Sequence, residues 1–528
     1  MITHLLTDGG GTDGTKEDFI QQLKDFIFCH PPALLNDMET ILDADVAYSH
    51  QFVCMPVGFY SMSDKLEKSG FSVGILNLGE RLLEKDNIGF KRILEHYIKK
   101  HNPKIMGIDL HWWVHSAGAM ETARLIKEID SSVTTLLGGI TSSYYAEEII
   151  RDFACIDYIL TGECDESIVS FVIYILNGET NLDCIPGLVY RDTKGIRKNT
   201  VIPPQDLTKL DITRYDLLLE PATINADRAI IPITRGCVHN CAYCGASNRS
   251  FFNIMGRKTV CFLKPGLIVD IIIKNKEKGR KYIYLYGDIQ DGGSLFVDEF
   301  FDILYKSNIE GIHLVIEFFN LPSKDIIEKW HKIITIKKIS LEATISPDSG
   351  NDSARKILRR NYTNEQLLDS IQYVYENNIP LSVYFLLGGP EDSDETIDEA
   401  LKLSDNILSL YSQHFSREKV RHEIIGYEFM QIPDLGSEIY DNTDKFDVTI
   451  NLDSFGKIVE NINNATHWSQ LIGFATKHFD QNKFVNQYYR IKYSIYEMYH
   501  RHGIIDKASY ASKIEKLDKD KANYESIL

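Results

Sequence analysis

The sequence lacks a long apolar run and lacks an excess of basic charge. No stretch of about 18 consecutive apolar residues occurs, so no transmembrane helix is predicted. The acidic, glycine-rich start MITHLLTDGGGTDGTKED is unlike a signal peptide, which is basic and then apolar. The formal net charge is −18, whereas a general nucleic-acid binder carries a basic face. We therefore expect a cytoplasmic protein without an integral membrane segment or a nucleic-acid partner, acting on small molecules, peptides or lipids.

Clustered cysteines are also lacking except in one segment, and this makes that segment informative. The chain of 528 residues has nine cysteines, and three of them fall within the segment RGCVHNCAYCG at residues 235–245. The other six are scattered singly in apolar or strand-like settings, which indicates inert thiols in a reducing compartment: Cys29, Cys54, Cys155, Cys164, Cys184 and Cys261.

The pattern of apolar residues predicts an α/β protein with several domains. Short apolar runs alternate with amphipathic segments up to about residue 176, which predicts a doubly wound parallel sheet over 1–176. Residues 177–227 are rich in Gly, Pro, Asp and Thr and predict a linker with a small hairpin across RDTKGIRKN. Six strand and helix pairs in 228–432 predict a partial or full (β/α)6-type barrel. Residues 433–528 predict a C-terminal helical region.

The cysteine segment follows the first strand of the predicted barrel. Cys237, Cys241 and Cys244 could converge on one inorganic centre, because thiolates are soft ligands suited to zinc or iron–sulfur. A structural zinc site needs a fourth ligand, for which His239 is the candidate. A four-iron cluster held by three cysteines instead leaves one iron open for a substrate or cofactor.

The spacing Cys237-x-x-x-Cys241-x-x-Cys244, the aromatic Tyr243 and the position after a barrel strand resemble the radical S-adenosylmethionine (SAM) superfamily. The resemblance implies that the three cysteines hold a [4Fe-4S] cluster whose unique iron binds SAM. An electron from the cluster, supplied by an external donor such as flavodoxin or ferredoxin, would cleave SAM to methionine and a 5′-deoxyadenosyl radical.

Further segments resemble the SAM-binding positions of that superfamily. The turn at Gly287 and Asp288 would face the SAM amino group, although a tight polar turn is the alternative. The strand end from Glu342 to Ser346 is similar to the superfamily's acidic or hydroxyl residue, and Arg360 to its carboxylate-binding arginine, although Arg360 could equally be a helix C-cap cation. The adenine and ribose side would be approached by the turn residues Gly388, Gly389 and Pro390.

A parallel sheet placed before such a barrel resembles the cobalamin-binding (B12-binding domain) radical SAM proteins. The resemblance implies that a Rossmann-like domain over 1–176 binds cobalamin, with Gly138, Gly139, Ser142 and Ser143 along the nucleotide tail. Thr161, Gly162 and Glu163, at the end of the last strand, would close the pocket. The alternative is a domain that keeps the fold without the cofactor. The match, which runs from about residue 25 to 505, is to a little-described branch from which no activity can be carried over.

The resemblance leaves open which residue lies at the lower face of the corrin, the ring that holds cobalt. The Asp-x-His-x-x-Gly motif that brings a histidine to cobalt in methionine-synthase-like domains is absent here. The segment GIDLHWWVHS instead offers His111, Trp112, Trp113 and His115 after the third strand. A histidine there could ligate cobalt, or an aromatic ring could cover that face. The alternative is a packed aromatic cluster with hydrogen-bonded histidines.

The leading hypothesis is a cobalamin-dependent radical SAM methyltransferase that acts on an unactivated carbon of a small-molecule or natural-product substrate. Tyr243 and Glu428 are the candidate catalytic residues, and His422 and Glu423 are further candidate substrate contacts. The second hypothesis is a radical cyclase, coupling or rearrangement enzyme in which cobalamin is structural or absent. The third, from another class, is a non-catalytic iron–sulfur scaffold or electron carrier.

Overall fold

A computed structural model describes residues 23–33, 55–83, 89–178, 181–204, 206–207, 210–222, 226–415 and 423–527. The first five strands pair in parallel in the order β2-β1-β3-β4-β5. They are β1 (Phe26–His30), β2 (Val73–Asn77), β3 (Ile105–Asp109), β4 (Thr134–Gly138) and β5 (Tyr158–Leu160). Every residue of β1, β2 and β3 is buried, because helices cover both faces of a parallel sheet. The predicted doubly wound sheet is confirmed.

Helices connect and cover this first sheet. They are α1 (Val57–Lys68), α2 (Leu78–Leu83), α3 (Phe90–His101), α4 (Ser116–Ile129), α5 (Ile140–Tyr144), α6 (Ala146–Asp152) and α7 (Ser167–Asn177). The order of the parallel strands reverses between β1 and β3, and ligands of open α/β sheets bind at the carboxyl ends of strands where the order reverses.

The segment predicted as a linker carries the expected hairpin and does more than connect. Strands β6 (Leu188–Asp192) and β7 (Gly195–Lys198) pair with each other and extend the first sheet in antiparallel fashion beyond β5. The turn between them falls within the predicted RDTKGIRKN stretch. The first sheet therefore has seven strands across the described residues.

The second sheet is the predicted barrel in its partial form. Its six parallel strands run in the order β15-β14-β13-β12-β11-β8, and no ladder joins the two outer strands in the described part of the chain. They are β8 (Arg228–Pro232), β11 (Tyr282–Tyr286), β12 (His313–Phe318), β13 (Ser340–Asp348), β14 (Leu381–Leu387) and β15 (Ile425–Phe429). Burial alternates along β12, because one face of the strand packs against helices and the other lines the barrel lumen.

Between β8 and β11 a short antiparallel pair is inserted, β9 (Thr234–Arg235) with β10 (Cys261–Phe262). The barrel helices are α8 (Asn248–Met255), α9 (Pro265–Glu277), α10 (Ser294–Lys306), α11 (Lys324–Ile336), α12 (Asp352–Ile357), α13 (Asn364–Glu376) and α14 (Asp394–His414).

The C-terminal region is mostly helical, as expected, but it also contains a short antiparallel pair, β16 (Val448–Ile450) with β17 (Phe474–Thr476). Its helices are α15 (Glu438–Asp441), α16 (Phe455–Asn464), α17 (Gln481–Arg501) and α18 (Lys507–Ile527). The aromatic stripe of α17 is a packed face, with Tyr488, Tyr489 and Tyr496 buried. None of the helices in the described ranges is long and apolar enough to cross a membrane.

Candidate active site

The cysteine loop leaves the carboxyl end of the first barrel strand and is clamped at its base. Arg235 of β9 pairs with Cys261 of β10, so the ladder closes just before the first loop cysteine. Inside the loop, the side-chain amide of Asn248 donates to the carbonyl of Cys237 (3.0 Å), and Ser247 caps the helix that follows. The loop is therefore a fixed turn that enters a capped helix.

Two of the three loop sulfurs each accept one backbone N–H group. The N–H of His239 donates to Cys237 Sγ (3.4 Å), and the N–H of Ala246 donates to Cys244 Sγ (3.3 Å). Burial raises the pKa of the Cys237 thiol to about 11, so a proton must be displaced when a metal binds. Amide donors to sulfur are among the features by which proteins tune iron–sulfur clusters, and this donor set fits such a cluster.

The zinc alternative finds less support. His239 directs its Nε2 to the carboxylate of Asp291 at 2.9 Å, which leaves Nδ1 as the ring nitrogen that could reach a metal. Within the described residues, no group of three or more His, Cys, Asp or Glu side chains is arranged to hold a single metal ion. A four-iron cluster places its irons at separate corners, so its cysteines need not meet at one point.

Tyr243 belongs to a buried network that ties the loop to the barrel. Its hydroxyl donates to Asp348 Oδ1 (2.9 Å), and Arg360 Nε donates to Asp348 Oδ2 (2.7 Å). The same guanidinium reaches the hydroxyl of Tyr243 at 3.3 Å and donates to the carbonyl of Phe319. Arg360 is thus engaged by protein groups beside the loop, so any carboxylate of SAM would compete with Asp348 for it. Asp348, at the carboxyl end of β13, was not among the predicted site residues.

The predicted turn at Gly287 and Asp288 lies at the carboxyl end of β11. Gly287 has a φ of +115°, which strongly favours glycine, and its N–H approaches Glu317 Oε2 at 3.4 Å. The carboxylate of Asp288 accepts the backbone N–H groups of Gln290 (3.0 Å) and Phe319 (2.9 Å), so it braces the turn. Burial, followed by the nearby Asp291, raises the pKa of Asp288 to about 7.

The structure separates the two residues predicted together on β13. Ser346 lies near the carboxyl end, beside Asp348. Glu342 lies four residues earlier, near His313 Nε2 (3.4 Å) and Ser382 Oγ (3.5 Å). Because a strand rises about 3.3 Å per residue, this places Glu342 roughly 13 Å deeper in the barrel. Asp348 is therefore a better candidate than Glu342 for the acidic residue beside the cluster loop.

The turn of Gly388, Gly389 and Pro390 is held from within by a carboxylate. Asp392 Oδ2 accepts the N–H of Gly388 (2.8 Å) and of Gly389 (2.9 Å). Burial raises the pKa of Asp392 to about 7. The two N–H groups are therefore not free to bind a ligand in this arrangement, and Asp392 sets the shape of a turn that the sequence predicted as a backbone surface.

Several acidic side chains lie near one another in the barrel lumen, close to the cysteine loop. Glu428 on β15 is exposed to this space, and its enclosure by the barrel together with the nearby Asp348 and Asp434 raises its pKa to about 7. Glu423 lies 3.6 Å from Lys492 Nζ of α17. His422 lies outside the described residues. Asp434 accepts the N–H of Gly245 (3.0 Å), so the C-terminal region also supports the cysteine loop.

The predicted nucleotide-tail residues lie at the carboxyl edge of the first sheet, and several are bonded to one another. Gly139, at φ +120°, packs against the backbone after β3, and its carbonyl accepts the hydroxyl of Ser142 at 2.9 Å. The hydroxyl of Ser143 accepts the N–H of Gly162 (3.0 Å), and Thr161 donates its hydroxyl to the carbonyl of Gly187 (2.8 Å). An added Cβ at Gly138 would meet nothing within 3.4 Å.

Glu163 makes contacts that the sequence prediction did not include. Its carboxylate binds the fully buried guanidinium of Arg257 (Nη2 to Oε2, 2.7 Å) and also Arg235 Nη1 (3.0 Å). Arg235 Nη2 also donates to Asp165 Oδ1 at 3.0 Å. Because both of its oxygens are bonded to arginines, Glu163 is better assigned to the contact between the first sheet and the cysteine loop than to a cobalamin pocket. We call these four residues the interdomain ion network.

The loop after β3 carries the four residues predicted near the lower face of the corrin, and their surroundings differ. Trp112 is 40% exposed, and its ring contacts that of His111 edge-on (centroids 4.7 Å apart). Trp113 is partly buried, whereas His115 is fully buried and its ring lies edge-on to His30 (4.8 Å). His30, which ends β1, was not among the predicted site residues, because one histidine at a strand end carries no pattern.

Comparison with known protein families identifies the two domains that contain these sheets. The Radical SAM superfamily model matches residues 231–404, and the B12 binding domain model matches residues 45–172. The chain therefore contains a B12-binding domain followed by a radical SAM domain. The predicted cofactors, a [4Fe-4S] cluster, SAM and cobalamin, correspond to the two matched domains.

Curated relatives of this B12-binding radical SAM chain are distant. An uncharacterized methyltransferase of Pyrococcus horikoshii is 23% identical over 325 residues, 60% of this chain and 67% of that protein. The anaerobic magnesium-protoporphyrin IX monomethyl ester cyclase of Rubrivivax gelatinosus is 22% identical over 300 residues, 54% of this chain and 51% of that protein. The chain thus spans about half to two thirds of the length of these relatives.

Solved structures of the superfamily share the fold over nearly the whole chain. The radical SAM methyltransferase TsrM from Kitasatospora setae, with cobalamin and a [4Fe-4S] cluster bound, matches with a TM-score of 0.62 at 12% identity and covers 95% of this chain and 100% of that one. The cobalamin-dependent SAM radical enzyme OxsB matches with a TM-score of 0.60 at 13% identity, covering 100% of this chain and 76% of that one. At these identities the likeness establishes the fold.

Proposed function

We propose that this chain is a cobalamin-dependent radical SAM methyltransferase that methylates an unactivated carbon of a small-molecule or natural-product substrate. The observation that carries the proposal is the interdomain ion network. Arg235 stands two residues before Cys237, and it binds Glu163 and Asp165 in the loop after the last parallel strand of the B12-binding domain. The cluster loop and the ligand edge of the first sheet are therefore in direct contact, which supports a reaction shared by SAM and cobalamin.

In this proposal Cys237, Cys241 and Cys244 hold the cluster. When bound, the cluster supplies the electron that cleaves SAM, and cobalamin supplies the methyl group. The Tyr243 hydroxyl, bonded to Asp348, keeps the aromatic ring fixed beside the last cysteine. Tyr145 of the first domain and Tyr440 of the C-terminal region bond through their hydroxyls, and in this proposal that contact helps to exclude water from the reaction.

Glu428 is proposed to contact the substrate from the lumen wall. Its pKa of about 7 allows it to accept or to donate a hydrogen bond near neutral pH. We expect Glu428→Gln to retain the cluster and SAM cleavage while the yield of methylated product falls, which would separate substrate binding from cofactor chemistry. Loss of SAM cleavage in this variant would instead place Glu428 in the SAM site.

The test of the proposed function uses anaerobically purified, reconstituted protein with SAM, a reductant and a panel of candidate substrates. Methyl transfer predicts S-adenosylhomocysteine together with 5′-deoxyadenosine, measured by liquid chromatography and mass spectrometry. The protein should also show the cobalamin spectrum beside the cluster absorbance. Cobalamin-free protein that still turns over the substrate would contradict the proposal.

The relative named as a magnesium-protoporphyrin ester cyclase supports a second candidate, a radical cyclase or related rearrangement enzyme. The same experiment separates the two candidates. Formation of 5′-deoxyadenosine with a dehydrogenated or cyclised product, and without S-adenosylhomocysteine, would favour the cyclase. An electron donor such as flavodoxin or ferredoxin is part of both proposals.

A further inference from the structure

His30 and Asp109 form a buried pair at the ends of two adjacent strands. His30 is the last residue of β1, Asp109 is the last residue of β3, and both are buried. His30 Nδ1 lies 3.2 Å from Asp109 Oδ2. Although His111 is closer to Asp109 in the sequence, it is His30 that bonds to the carboxylate. The pair links segments 79 residues apart.

The other ring nitrogen of His30 is unusual. Nε2 is buried and has no hydrogen-bond partner among the residues that the structure describes. Because a carboxylate accepts the Nδ1 proton, we assign the tautomer in which Nε2 carries a lone pair and no proton. Buried polar atoms are nearly always hydrogen-bonded, so an unbonded nitrogen lone pair calls for an explanation.

The location of this nitrogen suggests the explanation. In a sheet of order β2-β1-β3-β4-β5, the carboxyl ends of β1 and β3 flank the point where the order reverses, and ligands bind there. Strands β2 to β5 lie within the matched B12 binding domain, and β1, which precedes the matched residues, pairs with β2 and β3 in the same sheet. Histidines that bind metals usually donate their second ring N–H to a carboxylate or carbonyl, as His30 does to Asp109.

We propose that His30 Nε2 is the lower axial ligand of cobalt and that Asp109 is its positioning residue. Asp109 fixes the tautomer, and the edge-on ring of His115 at 4.8 Å limits rotation of the imidazole. The ring is fully enclosed, so ligation requires the covering residues to separate as the corrin enters. The proposal rests on the B12-binding assignment and is independent of methyl transfer.

The test is electron paramagnetic resonance of the reduced, cob(II)alamin-loaded full-length protein. An axial nitrogen splits the cobalt lines into triplets when it is ¹⁴N and into doublets when it is ¹⁵N. Protein labelled with ¹⁵N only at histidine should give doublets, because the ligand comes from the chain. Unlabelled protein bound to the same cofactor should give triplets.

This labelling arm needs no variant, so it stands even if substitutions weaken folding. Triplets that persist in labelled protein would show that the cofactor's own base binds cobalt, and they would overturn the proposal. Absence of nitrogen splitting would overturn it as well, and so would failure to bind cobalamin, which would also sink the proposed function. If protein whose cobalt lines show no nitrogen splitting still forms S-adenosylhomocysteine and 5′-deoxyadenosine, only the assignment of the cobalt ligand would be overturned, and the proposed function would stand.

Variants then assign the residue. His30→Gln should lose the label-dependent splitting, whereas the matched control His111→Gln at the same edge should keep it. Asp109→Asn should retain cobalamin, measured by absorbance, but weaken the nitrogen coupling. Loss of the splitting in His111→Gln with retention in His30→Gln would move the ligand to His111. Unchanged coupling in Asp109→Asn would remove the positioning role of Asp109.

Discussion

The hydroxyl of Tyr243 donates a 2.9 Å hydrogen bond to Asp348, joining the residue before the last loop cysteine to the end of the fourth barrel strand. Asp348 also binds Arg360, so one carboxylate serves two partners. The geometry of the cluster loop therefore depends on a residue more than 100 positions away.

Removing Asp348 should harm the protein more than removing the Tyr243 hydroxyl. Asp348→Ala leaves the buried Arg360 without its counterion and should cost about 3–5 kcal/mol of unfolding free energy. Tyr243→Phe removes the bonds of the hydroxyl to Asp348 and Arg360 but leaves their ion pair, and it should cost about 1–2 kcal/mol. Anaerobic urea unfolding followed by circular dichroism would measure both. Equal losses would indicate that the three groups do not act as a network centred on the carboxylate.

The loop cysteines should be individually required for the cluster. Cys237→Ala, Cys241→Ala and Cys244→Ala should each lose most of the iron and the brown absorbance of the cluster after anaerobic reconstitution, since a cluster held at three corners has no spare ligand. Cys184→Ala is the matched control, because Cys184 is exposed and distant in sequence from the loop. Full iron content in a loop variant would refute the assignment of that cysteine.

Glu163 should be important for stability, unlike its neighbour Glu166. Glu163→Ala leaves the buried Arg257 without its counterion and should destabilise the protein by about 3–5 kcal/mol. Glu166 pairs with Lys65 at the surface, so Glu166→Ala should change the unfolding free energy by less than about 1 kcal/mol. The comparison uses urea unfolding midpoints. If Glu163→Ala leaves stability intact but abolishes cobalamin retention, the original prediction of a pocket residue is restored.

Asp392 should make the protein less stable as the pH rises. Its pKa is about 7 in the folded chain and about 3.9 when unfolded, so its protonated form is favoured by folding. The stability that this gives is complete below about pH 4 and is lost as the pH rises towards 7. Asp392→Asn removes the titration, so the variant should gain relative to the wild type between pH 5 and about 7.5. Parallel melting curves across that range would exclude the effect.

Much of this architecture was predictable from the sequence, since apolar runs and turn residues determine where parallel strands begin and end. The six barrel strands and the five strands of the first sheet fall where alternation placed them. The three cysteines were identifiable because their spacing is local. Asp348, Asp392 and His30 were not, because each acts through a partner that only the fold brings near. The arginine partners of Glu163 were not predictable for the same reason, since they lie in a later segment.

The interdomain ion network limits how this protein can be recombined with its relatives. A chimera that takes the sheet from one parent and the barrel from another would meet a mismatch at Arg235 and Arg257 unless the donor sheet supplies both acids. A buried guanidinium without its counterion destabilises the fold. In a stable chimera, the loop after β5 and the segment from β9 to β10 should therefore come from the same parent protein.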